Sequence, residues 1–336
     1  MHDIKIVPYS PEYSEAAVRV EEQCAQGEAL VLKYKRPTFH ARSEVYEKYT
    51  ILCAKKDDKI IGTVAWAEKD VKLHGEDIHA AYLYDLRVSP EYRSMGTNQR
   101  LLDSMMENVS QFDCRYYYMT GENTRAMIRL GMSKCHMKHK IPLTYMVLPV
   151  YKKFKTRLIY NYTSAAEVHS KFIASQKHPE LLPAFDTSRL LGYKFSLMAE
   201  NCLTGCSIWT NENIMAEQVV SVPSDYRMIE KLSLPLKPFI KTPYIPKPDE
   251  TIRSWFIFDL FANDMGDTES FIKTVNNIAY DNGRQYIYIL LQNDNPVLSR
   301  IKKSWFGIYS FSYFFVVGGN RLPAPTDNIY VDIRDL

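Results

Sequence analysis

Leu86-Arg-Val-Ser-Pro-Glu-Tyr-Arg-Ser-Met-Gly-Thr-Asn-Gln-Arg-Leu-Leu102 decides how this chain is read. A predicted strand, His79–Val88, stops at Ser89-Pro90, because proline cannot donate to a ladder. Arg93-x-x-Gly96 then leads straight into Leu101, Leu102, Met105, Met106 and Val109, which form one stripe of a helix. Glycine at the tight point lets a ligand come close to the backbone. Successive N–H groups at the helix start point at one anion, helped by the helix dipole. Arg93 adds a charge-assisted contact. The arrangement suits a pyrophosphate. No Lys-Ser/Thr pair comes after the glycine, which argues against a P-loop nucleotidase.

Further out, Ile4–Tyr9 alternates as a strand and Pro11–Gln23 is spaced as a helix. A loop-rich stretch, Gly27–Phe39, precedes a predicted hairpin of Tyr49–Lys55 and Ile60–Glu68 across Asp57-Asp58. After the central helix come strand Arg115–Met119, a short helix Asn123–Leu130 and a closing strand Ile141–Val147. The order is that of a mixed α/β layer fold. A second round comes next: strand Leu158–Tyr162, helix Ala165–Ser175, hairpin Tyr193–Ala199 with Gly205–Trp209, and a proline-rich connector from Pro235 to Pro248. Strand Trp255–Phe261, helix Thr268–Tyr280 and strands Tyr286–Leu291 and Ser310–Val317 complete it.

The rounds resemble each other, as an internal repeat would. Gly62-x-x-x-Trp66 matches Gly205-x-x-x-Trp209, Tyr84-Asp85-Leu86 matches Phe258-Asp259-Leu260, and Tyr116-Tyr-Tyr-Met119 matches Tyr286-Ile-Tyr-Ile289. The expected domains are 1–152 and 153–336, the second a degenerate copy. Its strand–helix loop is shorter and carries Asp264 and Asp267 in place of an arginine, and carboxylates repel a pyrophosphate.

A chain of 336 residues fits two such domains. The net charge of +3 lacks the concentrated basic face of a nucleic-acid binder, so no nucleic-acid partner is expected. Lys33-Tyr-Lys-Arg36 and Lys152-Lys-Phe-Lys155 read as solvated runs. No membrane span and no signal segment are visible, and the chain reads as cytoplasmic. Six sparse cysteines do not make a secreted disulfide framework. Cys202-x-x-x-Cys206 and Cys135-His136-x-x-His139 lack a partner pair at metal-ligand spacing, so no metal is expected.

At the Arg93–Asn98 segment the chain resembles the GCN5-related N-acetyltransferases. That family's Gln/Arg-x-x-Gly-x-Gly/Ala motif here reads Arg93-x-x-Gly96-x-Asn98, and its later Asn-x-x-Ala reads Asn123-Thr-Arg-Ala126. Short matches along most of the chain, including Pro238-Phe-Ile-Lys-Thr-Pro-Tyr-Ile-Pro246, also resemble the hookless-type acetyltransferases. The resemblance implies acetyl-CoA as cosubstrate, with Leu86, Arg87 and Val88 along its pantetheine arm. The loop Arg93, Ser94, Met95, Gly96, Thr97 and Asn98 would hold the pyrophosphate, with Asn123 nearby. It implies direct transfer to an amine of a small molecule or protein, with Asp85 or Glu122 receiving the amine's proton. The family's tyrosine after Asn-x-x-Ala is missing, the place being taken by Leu130-Gly131-Met132. A catalytically inactive binding protein of the same fold is the alternative. The acceptor and the oligomeric state leave no trace in the sequence.

Overall fold

The computed structural model describes residues 4–25, 27, 30–120, 137–176, 179–183, 191–224, 228, 241–262, 265–319 and 329–336. Its strands are β1 (Lys5–Pro8), β2 (Val31–Lys35), β3 (Lys48–Lys56), β4 (Lys59–Leu73), β5 (Glu76–Val88), β6 (Cys114–Thr120), β7 (Met137–Pro149) and β8 (Tyr160–Thr163). They continue with β9 (Leu182–Pro183), β10 (Tyr193–Ala199), β11 (Thr204–Trp209), β12 (Ala216–Ser221), β13 (Ser254–Ala262), β14 (Tyr286–Gln292) and β15 (Tyr309–Gly319). The α-helices are α1 (Ser14–Glu22), α2 (Thr97–Val109), α3 (Ala165–Ser175), α4 (Met265–Asp281) and α5 (Pro296–Ser304). The expected mixed α/β architecture is the one observed.

One sheet runs through the whole chain in the order β1-β3-β4-β5-β6-β15-β7-β14-β13-β11-β10-β8, with β9 beside the far end of β4. Two parallel pairs, β5–β6 and β13–β14, are each bridged by a helix, α2 and α4, as a parallel crossover requires. The closing strand of the first round does not stay with its own half. Instead β7 pairs with β14 and β15, and β15 fills the edge of β6, Tyr313 to Gly319 lying against Thr120 to Cys114. Alternation of side chains marks a strand but not the edge it will join.

The sheet separates three large cores and a small fourth one of Val168, Met198 and Phe261. Leu101, Leu102, Met105 and Val109 of α2 press on Leu52, Val64, Trp66 and Leu83. Each such buried side chain contributes about 1.5–3 kcal/mol. Phe271, Ile272, Val275 and Ala279 of α4 cover Ile208, Trp255 and Ile287 in the same way. The opposite face is aromatic and continuous across both halves, from Tyr82 and Tyr116 to Tyr145, Phe256 and Tyr288. Local signals fix the helix starts. Ser164 caps α3 by accepting from Glu167 N–H at 3.1 Å, and Asn295 caps α5 ahead of Pro296.

Three expectations fail here. Gly27–Phe39 is not wholly loop: it contains β2, which pairs with β12 as a separate two-stranded sheet. Within the supposed solvated run, Arg36 is buried in an ion-pair network, so only part of that run meets water. The Gly-x-x-x-Trp match also slips by one residue. Ala65 lies opposite Tyr84 and Ser207 opposite Phe258, so Trp66 corresponds to Ile208. Trp66 therefore packs under α2, whereas Trp209 lies on the aromatic face.

Candidate functional site

Asp85 sits at a bulge. Thr63 lies opposite Arg87 and Ala65 opposite Tyr84, which leaves one extra residue on β5. Asp85 absorbs the irregularity at φ 52°, a left-handed conformation that asparagine and aspartate tolerate better than most residues. Its carbonyl accepts from Thr63 Oγ1 at 3.1 Å. Its carboxylate accepts from Arg36 Nη1 and Nη2 at 2.7 and 3.0 Å and from Arg42 Nη1 at 2.7 Å. Arg36 also donates to Glu21 at 2.6 Å. Burial alone would raise the Asp85 pKa, but Arg36 and Arg42 outweigh it and hold the carboxyl well below the usual range. Asp335, from the last turn of the chain, extends the network to Lys69 Nζ at 2.8 Å.

Above the bulge the strands part. The β5–β6 ladder pairs only Ala80–Tyr82 with Cys114–Tyr116, so Leu86 to Val88 diverge from the end of β6. Pro90–Met95 makes a 3-10 turn, and Gly96 comes next at φ 74°, ψ 13° as the residue capping α2. A Cβ placed on Gly96 would meet nothing within 4 Å, so the space above it is open. No side chain caps the first N–H groups of α2, and Arg93, Ser94 and Met95 are exposed. Thr97 is buried, its Oγ1 donating to the Tyr92 carbonyl at 3.0 Å, and Asn98 is half-buried. Arg93 Nε donates to the Val88 carbonyl at 3.1 Å, which ties the turn to the strand end. Lys56 adds a second positive charge, 5.4 Å from the Tyr92 ring. Glu122 and Asn123 lie outside the described residues.

The second half repeats the bulge without the cradle. Gly205 opposes Phe261 and Ser207 opposes Phe258, and Asp259 takes φ 50°. Among the described residues its carboxylate meets no arginine: His169 Nδ1 stands 2.9 Å from Oδ2, and Tyr330 Oη donates to Oδ1 at 2.8 Å. Only residues 263–264 separate β13 from α4, against 89–96 between β5 and α2.

Between the halves lies a cavity of about 680 Å³, a small-molecule size. Leu30, Leu32 and Tyr34 close it from β2 and the residue before it, and Trp209, Met215 and Tyr288 from the second half. Thr120, the last residue of β6, also lines it. Glu217 on β12, opposite Tyr34, is buried in its wall and accepts from Tyr288 Oη at 2.8 Å. Burial pushes its carboxyl up to about 7, and the Tyr288 hydrogen bond offsets only part of that. Sequence reasoning missed Glu217. Ala-Glu-Gln-Val-Val carries no motif, and the residue acquires its setting only through the β2–β12 pairing.

Residues 12–131 match the model of an acetyltransferase (GNAT) domain. Among solved structures the chain is similar to Saccharomyces cerevisiae N-myristoyltransferase with bound myristoyl-CoA. The TM-score is 0.63 at 10% identity, covering 96% of this chain and 84% of that one. It is also similar to a GCN5-related N-acetyltransferase from Anabaena variabilis, with TM-score 0.55, 10% identity, and 95% and 73% covered. At these identities the likeness is one of fold. No curated protein matches. No described helix is long and apolar enough to cross a membrane. The chain thus carries a GNAT acetyltransferase-like mixed-sheet fold, and the matched residues include the Arg93–Asn98 turn.

Proposed function

We propose that the chain is an N-acyltransferase that moves acetyl from acetyl-CoA to an amine by direct attack, with coenzyme A in the first half. One observation carries this: an uncapped helix start behind a left-handed Gly96, open above, beside strands that part. Backbone N–H groups of Ser94 to Asn98 would take the pyrophosphate, with Arg93 and Lys56 supplying charge. The backbone of Leu86 and Val88, flanked by Arg87, would line the pantetheine arm, and Asn123 is assigned to the same cofactor. Bound acetyl-CoA supplies an activated acyl group on a thiol that leaves readily.

Asp85 is held ionised by two arginines and has little affinity for a proton, so we assign it to fixing the bulge. The amine's proton goes to a second carboxylate, Glu122 past the end of β6 or one presented by the cavity. We read residues 153–336 as a degenerate copy of 1–152 whose closing strand has exchanged with that of the first. The equivalent left-handed aspartates and the mirrored strand order support this reading.

The test is release of free thiol from acetyl-CoA in the presence of a panel of amines, with Gly96→Glu as control. Amine-dependent release in the parent and none in the variant is expected. Coenzyme A binding without release by any amine would leave a non-catalytic cofactor-binding protein.

A further inference from the structure

The central cavity is apolar and aromatic over most of its wall, and a carboxylate and an amide oxygen stand among its tyrosine, serine and threonine hydroxyls. Glu217 is its only charged side chain among the described residues. One of its oxygens takes the Tyr288 hydroxyl, and the other has no hydrogen-bond partner among the described residues. Asn211, 2% exposed, also lines the cavity with a buried Oδ1 that no donor among the described residues meets. Thr120 Oγ1, a hydroxyl that can accept or donate, is also buried and has no partner among the described residues. An unmet buried acceptor costs about 1–3 kcal/mol, so the wall is built for a ligand that brings donors. Among the described residues no lysine or arginine lines it, so the charge that the wall presents is negative. Trp209, Phe256 and the cavity tyrosines offer ring faces that favour a cation on an apolar body.

We propose that this cavity binds a primary amine carried on an aromatic or aliphatic body, its ammonium held by the Glu217 carboxylate with Asn211 Oδ1 as a second acceptor. The assignment deepens the acyltransferase reading and, for its chemical step, rests on it. In that step the ammonium gives one proton to Glu217. The freed lone pair forms the C–N bond at the acyl carbonyl as the C–S bond breaks. The second amine proton leaves with sulfur as a thiol, and Glu217 returns its proton to water. The size of the cavity limits the acceptor to a small molecule or a single side chain.

The groups facing Glu217 set the pH dependence. Tyr34 from β2, Tyr145 from β7 and Tyr288 from β14 are all held above the usual phenol range, first by burial. An alkyl ammonium stays charged throughout, so Glu217 is the described side chain of the cavity that changes charge between pH 5.5 and 8.

The experiment is calorimetric titration of the full chain, without any acyl donor, with 2-phenylethylamine and hexylamine, beside uncharged 2-phenylethanol. The parent should bind at least one amine roughly tenfold or more tightly at pH 8 than at pH 5.5. Glu217→Gln should lose that preference and leave 2-phenylethanol unchanged. Should Glu217→Gln not fold, Tyr288→Phe serves: losing a donor to the carboxylate, it should move the binding midpoint to higher pH. Equal amine binding in parent and Glu217→Gln, no saturable binding of either amine, or tighter binding of the alcohol than of its amine each overturns the assignment. Coenzyme A is titrated separately. Amine binding that depends on Glu217 without coenzyme A binding would sink the acyltransferase reading and leave the amine site standing.

Discussion

Asp85 and Asp259 occupy the same kind of bulge, at φ 52° and 50°, in two halves of one sheet, yet their surroundings differ. Asp85 is clamped by Arg36 and Arg42, while Asp259 meets a histidine and a tyrosine. Beyond the first bulge comes the open turn of residues 89–96, and beyond the second a helix that starts almost at once. The contrast teaches that the aspartate belongs to the geometry of the splayed strands. The proposed cofactor site depends instead on the turn that joins strand to helix. A bulge that persists where the cradle is missing cannot be explained by cofactor binding.

The largest expected effect breaks the comparison if it fails. Arg36→Ala strands Glu21 entirely and leaves Asp85 to Arg42 alone, and uncompensated buried charges of this kind cost about 3–5 kcal/mol. Asp259→Asn removes only hydrogen bonds and should cost about 1–2 kcal/mol. Urea unfolding of both variants gives the two values; equal losses would show that the halves are clamped alike. The Asp85 contribution has a definite pH sign. Its folded pKa is depressed, so the stabilisation is present above the unfolded value and is lost only as pH falls through the lower folded one. Asp85→Asn should therefore lie below the parent from pH 7 down to pH 4, the gap closing in stronger acid.

Glu217 shows the opposite sign and is the next largest effect. Its folded pKa, raised from 4.5 to about 7, makes ionisation cost stability as pH rises. Glu217→Gln should match the parent near pH 5 and exceed it by about 2–3 kcal/mol at pH 8.5, read from thermal or urea midpoints. A constant difference across that range would mean the carboxyl is solvated and the cavity wall is wrongly described. The smallest effect is at Gly96. Gly96→Ala has room for its methyl group but not the preferred φ, so about 1 kcal/mol should be lost in urea unfolding. Larger loss would mean that the turn is packed rather than open.

Much of this was legible in the sequence. The helical stripe of Leu101, Leu102, Met105 and Val109, and the apolar strands on either side, come from periodicity and give α2 and its strands directly. Tyr84-Asp85-Leu86 and Phe258-Asp259-Leu260 stood out as matched segments, but the bulges within them come only from the strand registers. The pairing of β7 with β14 and of β15 with β6 was not legible, because side-chain alternation identifies a strand but not its neighbour. The Gly-x-x-x-Trp match misled because a slip of one residue turns Trp66 and Trp209 to opposite faces. Arg36 and Glu217 escaped for a shared reason. Each is an ordinary surface type in its local context, and each is buried only by a partner far along the chain: Asp85 for one, Tyr34 and Tyr288 for the other.

The central claim is that the first half alone holds coenzyme A, on the turn that ends at Gly96. Calorimetric titration of the parent and of Gly96→Glu with acetyl-CoA tests it most directly, because a carboxylate placed in the open space above Gly96 would face the pyrophosphate. The account predicts one site per chain with micromolar affinity in the parent, weakened about a hundredfold or more in the variant. Binding of undiminished strength in Gly96→Glu, or no binding to the parent, would contradict it.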